Sequence, residues 1–282
     1  MPRFETPEPI IASIEMAAGS VRVRASARSD TVVEVLPRND NSDSDVQAAA
    51  QARVEYADGR LLVALPRSRL RTLVGPGPGP AVSVTIDLPE GSELDGSSWA
   101  DYACEGRLGP VTINSALGDV RVEHSGRLRA RSSMGDITVG RVDGHADLHT
   151  STGEIRVGTL DGAGVVKTSS GDLSIGEVTG HLRLKTASGA ITVERAHTSV
   201  EAKTSAGAVR INEVGGGSVL IESGFGEIEV GVPATVAAWL DMRSKGGIVR
   251  SELDAVEAPA AADRTVEVHA HTGYGDILVR RA

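Results

Sequence analysis

The chain has 282 residues, with 38 acidic against 29 basic side chains and a net charge of −9. That balance favours solubility and argues against non-specific nucleic-acid binding. Aromatic residues make up 2 % of the chain, glycine occurs 33 times, and Cys104 stands alone, which excludes an intrachain disulfide.

At the start, Met1-Pro2-Arg3-Phe4-Glu5 has no basic segment leading into an apolar run, so no secretory signal is expected. No stretch of about 18 apolar residues exists, so no direct membrane insertion is expected, and the compartment read from these features is the cytoplasm. Two strand-like runs, 10–16 and 20–27, flank Ala17-Ala18-Gly19, and a third follows at 31–36. Gly19-Ser20-Val21-Arg22-Val23 is a degenerate first copy of the repeat described below. Residues 37–50, rich in Asp, Asn, Ser and then Ala, predict a surface loop with a short helical turn. Two runs, 54–56 and 61–65, flank Ala57-Asp58-Gly59-Arg60, a hairpin signal. Residues 66–80 carry Arg67, Arg69 and Arg71, then Gly75-Pro76-Gly77-Pro78-Gly79-Pro80, which can neither pair as strand nor coil as helix; a mobile loop is expected. Residues 82–88 alternate cleanly and lead to Pro89-Glu90-Gly91.

From about residue 106 the text becomes periodic. Gly118, Gly135, Gly153, Gly171, Gly189, Gly207 and Gly226 are separated by 17, 18, 18, 18, 18 and 19 residues. Two and four positions after each anchor stand apolar, mostly β-branched residues, such as Ile137 and Val139 or Ile191 and Val193. Seven and five positions before it stands a second pair, such as Leu182 and Leu184, and a third column follows at plus seven, as in Val142, Leu160 and Val178. Alternation of this kind is the signature of strands. Two short strands and two turns cannot bury an apolar side alone, but stacked copies can. The predicted fold is therefore all-β, a parallel β-solenoid of ~18-residue coils with negligible helix. Columns of Val, Ile, Leu and Ala suit a narrow coil with no room for stacked aromatics. Three before each anchor comes Ser115, Ser132, Thr150, Thr168, Thr186, Thr204 and Ser223, with Thr272 later. Parity turns this column inward, so a corner ladder is expected, each hydroxyl bonding its neighbour or the turn backbone.

After residue 230 the rhythm loosens. A coil near Gly246 or Gly247 is followed by an insertion at 252–264 and a last coil ending Gly275-Asp276-Ile277-Leu278-Val279. The expected organisation is 1–105, degenerate coils with two loop insertions, and 106–282, the regular array with its C-terminal cap, as one continuous body. The irregular ends are expected to cap the stack.

The recurring G-D/E-I-x-V blocks with T/S-x-x-G turns resemble the "toastrack" family of β-strand-repeat proteins, formerly a domain of unknown function and also called "putative adhesin". Phe4-Glu5-Thr6-Pro7-Glu8-Pro9, Arg53-Val54-Glu55-Tyr56, Asp87-Leu88-Pro89-Glu90-Gly91-Ser92 and Ala237-Ala238-Trp239-Leu240-Asp241 are similar to actinobacterial members. The resemblance implies a β-solenoid and an association with envelope-stress and membrane-linked signalling. It implies no catalytic residues.

On the surface, the column four before the anchor reads Arg131, His149, Lys167, Lys185 and Lys203. Stacked, these five form a basic strip over ~20 Å. Like charges one strand apart repel, and the column just after the anchor, Asp119, Asp136, Glu154 and Asp172, offers compensation round the corner. Ala190 and Ala208 replace the acid in two coils, so the uncompensated end is expected at Lys185 and Lys203. No metal site is expected. His145 and His149 are too far apart in extended chain, and His269 and His271 share a strand face without an evident third ligand. Cys104 reads as a buried or idle thiol. No nucleophile elbow, phosphate loop or dinucleotide fingerprint stands in the required context. The reading is a non-enzymatic binding or scaffolding module without cofactor, its partner a protein or a polyanion. The alternatives are a self-assembling structural protein and a glycan-active β-helix enzyme.

Overall fold

The computed structural model describes residues 1–65, 80–253 and 264–282. The arginine-bearing loop expected at 66–80 lies outside the described residues except for Pro80, and so does most of the insertion at 252–264. The chain forms two compact units, Met1–Gly140 and Arg141–Ala282. Both are parallel β-solenoid, and the one described helix is Asp43–Ala50.

In the second unit each coil gives one strand to each of two parallel ladders. Gly164–Lys167 pairs with Ala146–Thr152 and with Leu182–Ser188, which continues to Val200–Ala206 and Gly217–Phe225. The other ladder runs through Ile155–Leu160, Leu173–Val178, Ile191–Ala196, Val209–Val214 and Ile228–Val232. Equivalent repeat positions are register partners: Ile155 faces Leu173, and Leu173 faces Ile191. One coil thus encloses Leu182, Leu184, Ile191, Val193 and Ala196, all fully buried. Each large aliphatic side chain removed from water contributes ~1.5–3 kcal/mol, against ~1–2 kcal/mol of backbone entropy per ordered residue. Stacking many coils is what makes that balance favourable.

The order of coils in space departs from their order in the chain. Arg264–Tyr274 pairs with Gly217–Phe225 on one side and with Val236–Gly246 on the other. Ile277–Arg281 likewise lies between Ile228–Val232 and Val249–Ser251. The last coil is therefore inserted under the one that precedes it, and among the described residues coil 236–251 is the outermost rung of the second unit.

The first unit makes a similar exchange. Ile11–Ser26 lies between Glu93–Leu108 and the pair Arg60–Ala64 and Val82–Pro89. Gly19 has φ 139°, and Val21 and Val23 are buried, as its reading as a first repeat requires. Glu93–Leu108 then stacks on Val111–Leu117 and Val120–Ser125. Beyond Val82–Pro89 the parallel order stops. Asp30–Pro37 and Arg53–Ala57 add antiparallel, and Arg3–Glu5 adds antiparallel to Asp30–Pro37. The hairpin at Asp58-Gly59 has positive φ at both residues, 51° and 74°, the pattern of a type I′ turn. The helix starts at Ser42, whose hydroxyl accepts from Asp45 N, while Asp45 Oδ1 accepts from Ala81 N at 3.0 Å. One aromatic does enter the interior: Tyr102 is buried, its ring filling the space left by Gly96 and its hydroxyl accepting from Ser98 Oγ at 2.8 Å.

The anchor glycines carry the sharpest constraint. Gly171 has φ 145°, and a Cβ there would sit 2.0 Å from the Gly153 carbonyl oxygen. Gly59 has φ 74° with nothing within 4 Å of an added Cβ. Gly171→Ala is expected to destabilise by ~3–5 kcal/mol, and Gly59→Ala by about 1–2 kcal/mol. Denaturant unfolding of the two variants checks this; equal costs would contradict it.

Candidate binding surface

The inward Ser/Thr column is a ladder of hydroxyls, and its acceptor is the turn backbone. Thr168, Thr186, Thr204 and Ser223 each donate at 3.2 Å to the carbonyl of the preceding anchor, Gly153, Gly171, Gly189 and Gly207. Thr272 donates to Gly226 at 3.1 Å and Ser244 to Gly275 at 2.8 Å, following the exchanged order of coils. These hydroxyls are committed to the fold.

The acidic column after the anchor is committed in the same way. Asp101 Oδ1 accepts from Asp119 N at 2.9 Å, and Asp119 Oδ1 from Asp136 N at 3.0 Å. In the second unit Asp172 Oδ1 accepts from Ala190 N and Asp276 Oδ1 from Ile248 N, both at 2.8 Å. Asp119 and Asp172 thus cap the amide of the next rung, Asp119 also pairing with Arg121, while Glu154 pairs with Arg156, two residues on.

The basic column is in register through the second unit. His149 faces Lys167, Lys167 faces Lys185 and Lys185 faces Lys203. Adjacent parallel strands stand ~4.8 Å apart. Arg131 belongs to the first unit, where its register partner is Asn114. Lys203 faces Glu222 on its far side, and its ammonium lies 3.3 Å from Glu222 and 3.4 Å from Glu201. The hydrogen bond that its ammonium donates to Glu222 is the main reason its pKa is raised. Lys203 is therefore compensated, contrary to expectation, because the column changes sign at the next coil. Arg183, beside Lys185, is held by Glu201 at 2.8 Å. Lys167 and Lys185 are exposed, and among the described residues neither has an ion pair. They are the open part of the strip.

Several charges elsewhere on the second unit are paired across rungs. Glu229 accepts from Arg280 and Arg210, both at 2.7 Å. The Arg280 hydrogen bond outweighs desolvation and holds that carboxyl below its ordinary range. His197 lies 2.7 Å from Glu177, which Arg195 also approaches. The third group that His269 and His271 lacked in the sequence is Asp241, 3.7 Å from His269 Nδ1 and 3.4 Å from His271 Nε2. Its oxygens are shared with the Arg243 guanidinium at 3.0 and 3.3 Å. No trio of His, Cys, Asp or Glu among the described residues is placed to hold a metal ion. Two of the few aromatics, Phe225 and Tyr274, are 61 % and 59 % exposed and stack at 5.2 Å with 7° between ring planes. They are register partners on successive rungs, a pairing hidden in the sequence by the exchanged coils.

The family model described as Toastrack DUF4097 matches residues 11–281. No curated protein matches the chain. Among solved structures, a "putative adhesin" from Bacteroides fragilis is 14 % identical with a TM-score of 0.43, covering 99 % of this chain and 95 % of its own. A "putative cell adhesion protein" from Clostridium sporogenes is 12 % identical with a TM-score of 0.22, covering 100 % and 98 %. A "putative adhesin" from Parabacteroides merdae is 11 % identical with a TM-score of 0.29, covering 100 % and 95 %.

Cys104 is fully buried, and burial pushes its thiol up to about 12. At pH 8 it is protonated and shielded, so a thiol reagent should leave the folded protein unmodified and react fully in denaturant. Rapid stoichiometric labelling of the native chain, read by mass spectrometry, would contradict this placement.

Proposed function

The chain belongs to the Toastrack DUF4097 family, and from that premise we propose that it is a non-enzymatic β-solenoid binding module. Its partner is an acidic protein face or a polyanion, received on the strip formed by His149, Lys167 and Lys185. The observation that carries this reading is the pair Lys167 and Lys185: register partners, exposed and without ion pairs among the described residues. Two like charges ~4.8 Å apart repel, and an anion laid along the ladder relieves that repulsion while gaining two charge-assisted contacts. The rigid rung spacing presents these charges at fixed intervals, which suits a repeating anionic chain. Arg131 is the equivalent position in the first unit, and Lys203 contributes less because Glu201 and Glu222 hold it. The proposal includes a cytoplasmic setting and a place in envelope-stress signalling of the actinobacterial kind.

Polyphosphate and a poly-glutamate peptide serve as probes. The Lys167→Glu/Lys185→Glu double variant should weaken binding of at least one probe by about tenfold or more at low salt, and added salt should weaken wild-type binding. Lys203→Glu should change affinity less than the double variant. Unchanged binding by the double variant would remove the strip from the proposal.

A further inference from the structure

Coil 236–251 is the outermost rung of the second unit, and it is unfinished. Its strands pair on one side only among the described residues, Val236–Gly246 with Arg264–Tyr274 and Val249–Ser251 with Ile277–Arg281. A parallel strand paired on one side leaves alternate N–H and C=O groups facing outward. The inward column shows the same openness. Val266, Val268, Ala270 and Ile277 are buried, yet their register partners Ala238, Leu240 and Met242 are only half-buried, and Val249 is 39 % exposed. Trp239 and Ile248 are 57 % and 54 % exposed on the same coil. The outermost parallel rung of the first unit is different. Leu61, Val63, Val82, Val84, Ile86 and Leu88 are fully buried there, beneath antiparallel strands and the helix Asp43–Ala50.

We infer that coil 236–251 is the contact surface of a closed homodimer, in which two copies pair this edge antiparallel about a two-fold axis at Met242. The charge order argues for a second copy as the occupant. The outward side chains of the strand run Trp239, Asp241, Arg243, Lys245. Antiparallel pairing centred on Met242 places Asp241 of each copy opposite Arg243 of the other. It also places Trp239 opposite Lys245, a cation–π pairing. Both matches occur twice by symmetry, as an isologous contact requires. Parallel addition in the register of the solenoid would instead stack like on like, Asp241 on Asp241 and Arg243 on Arg243, which is unfavourable. Charges often guard an edge strand, but this row is complementary to itself in the antiparallel register. The contact also consumes the edge it uses. The contact is isologous, so two copies satisfy it and leave no part of it to recruit a third. The assembly is two chains and not a filament.

Sedimentation equilibrium of the full chain tests this. The expected result is a mass of two chains in the micromolar range, falling to one on dilution. Arg243→Asp sets Asp241 against a second carboxylate and should weaken the dimer at least about tenfold. Asp241→Arg/Arg243→Asp exchanges the charges and should restore wild-type dimerisation, with circular dichroism confirming that both variants are folded. A wild-type chain that stays monomeric, one that assembles beyond the dimer, or a charge-exchanged variant no better than the single variant would overturn the inference.

Discussion

One close approach governs this architecture: the carbonyl of each anchor glycine faces the next rung with room for neither a Cβ nor a gap. A Cβ at Gly189 would sit 2.0 Å from the Gly171 oxygen, and one at Gly207 2.0 Å from the Gly189 oxygen. Positive φ at these corners removes other residues from consideration as well. The oxygen that would collide with a side chain receives instead the Ser/Thr hydroxyl of the next rung, as Thr186 does for Gly171. The corner is thus sealed by a hydrogen atom and a hydroxyl. A slip by one residue would bring a side chain into that space and turn the inward columns outward, so the corner fixes the register of both ladders.

Register then decides what the surface can be. Once equivalent positions coincide, every sequence column becomes a row, and like charges must be resolved. The chain resolves them in different ways. Asp119 and Asp172 turn to the backbone amides of the neighbouring rung. Arg210, Glu229 and Arg280 alternate sign across rungs. Lys203 meets a change of sign at Glu222. In the basic column of the second unit these solutions leave Lys167 and Lys185 open among the described residues.

Much of the fold was legible because its determinants are local and recurrent. The anchor period, the inward columns from Val142 to Val214, the I′ turn at Asp58-Gly59 and the helical turn after Ser42 all rest on chemistry within a few residues. The order of coils was not legible. Periodicity states which residues are equivalent but not which equivalent copy is adjacent, so the insertion of Arg264–Tyr274 between Gly217–Phe225 and Val236–Gly246 left no local mark. The stacked pair Phe225 and Tyr274 was hidden for the same reason. Tyr102 entered a core read as too narrow because small residues at Gly96 and Ser98 make room on the facing stretch. The pairing of Lys203 could have been read by extending the basic column one coil further, to Glu222. The role of the post-anchor aspartates could not, since an Asp in a turn signals backbone capping and surface charge equally.

In-register stacking is tested most directly by cysteine pairs across adjacent rungs, the native Cys104 being buried. Lys185 and Lys203 are register partners, at a Cα separation of ~4.8 Å that a disulfide can bridge. Lys185 and Glu201 lie two residues out of register, about 8 Å apart, beyond the usual span. Lys185→Cys/Lys203→Cys should oxidise to an intramolecular disulfide in high yield, and Lys185→Cys/Glu201→Cys should not. Failure of the first pair, or equal yields from both, would contradict the stacking on which the fold and its proposed surfaces depend.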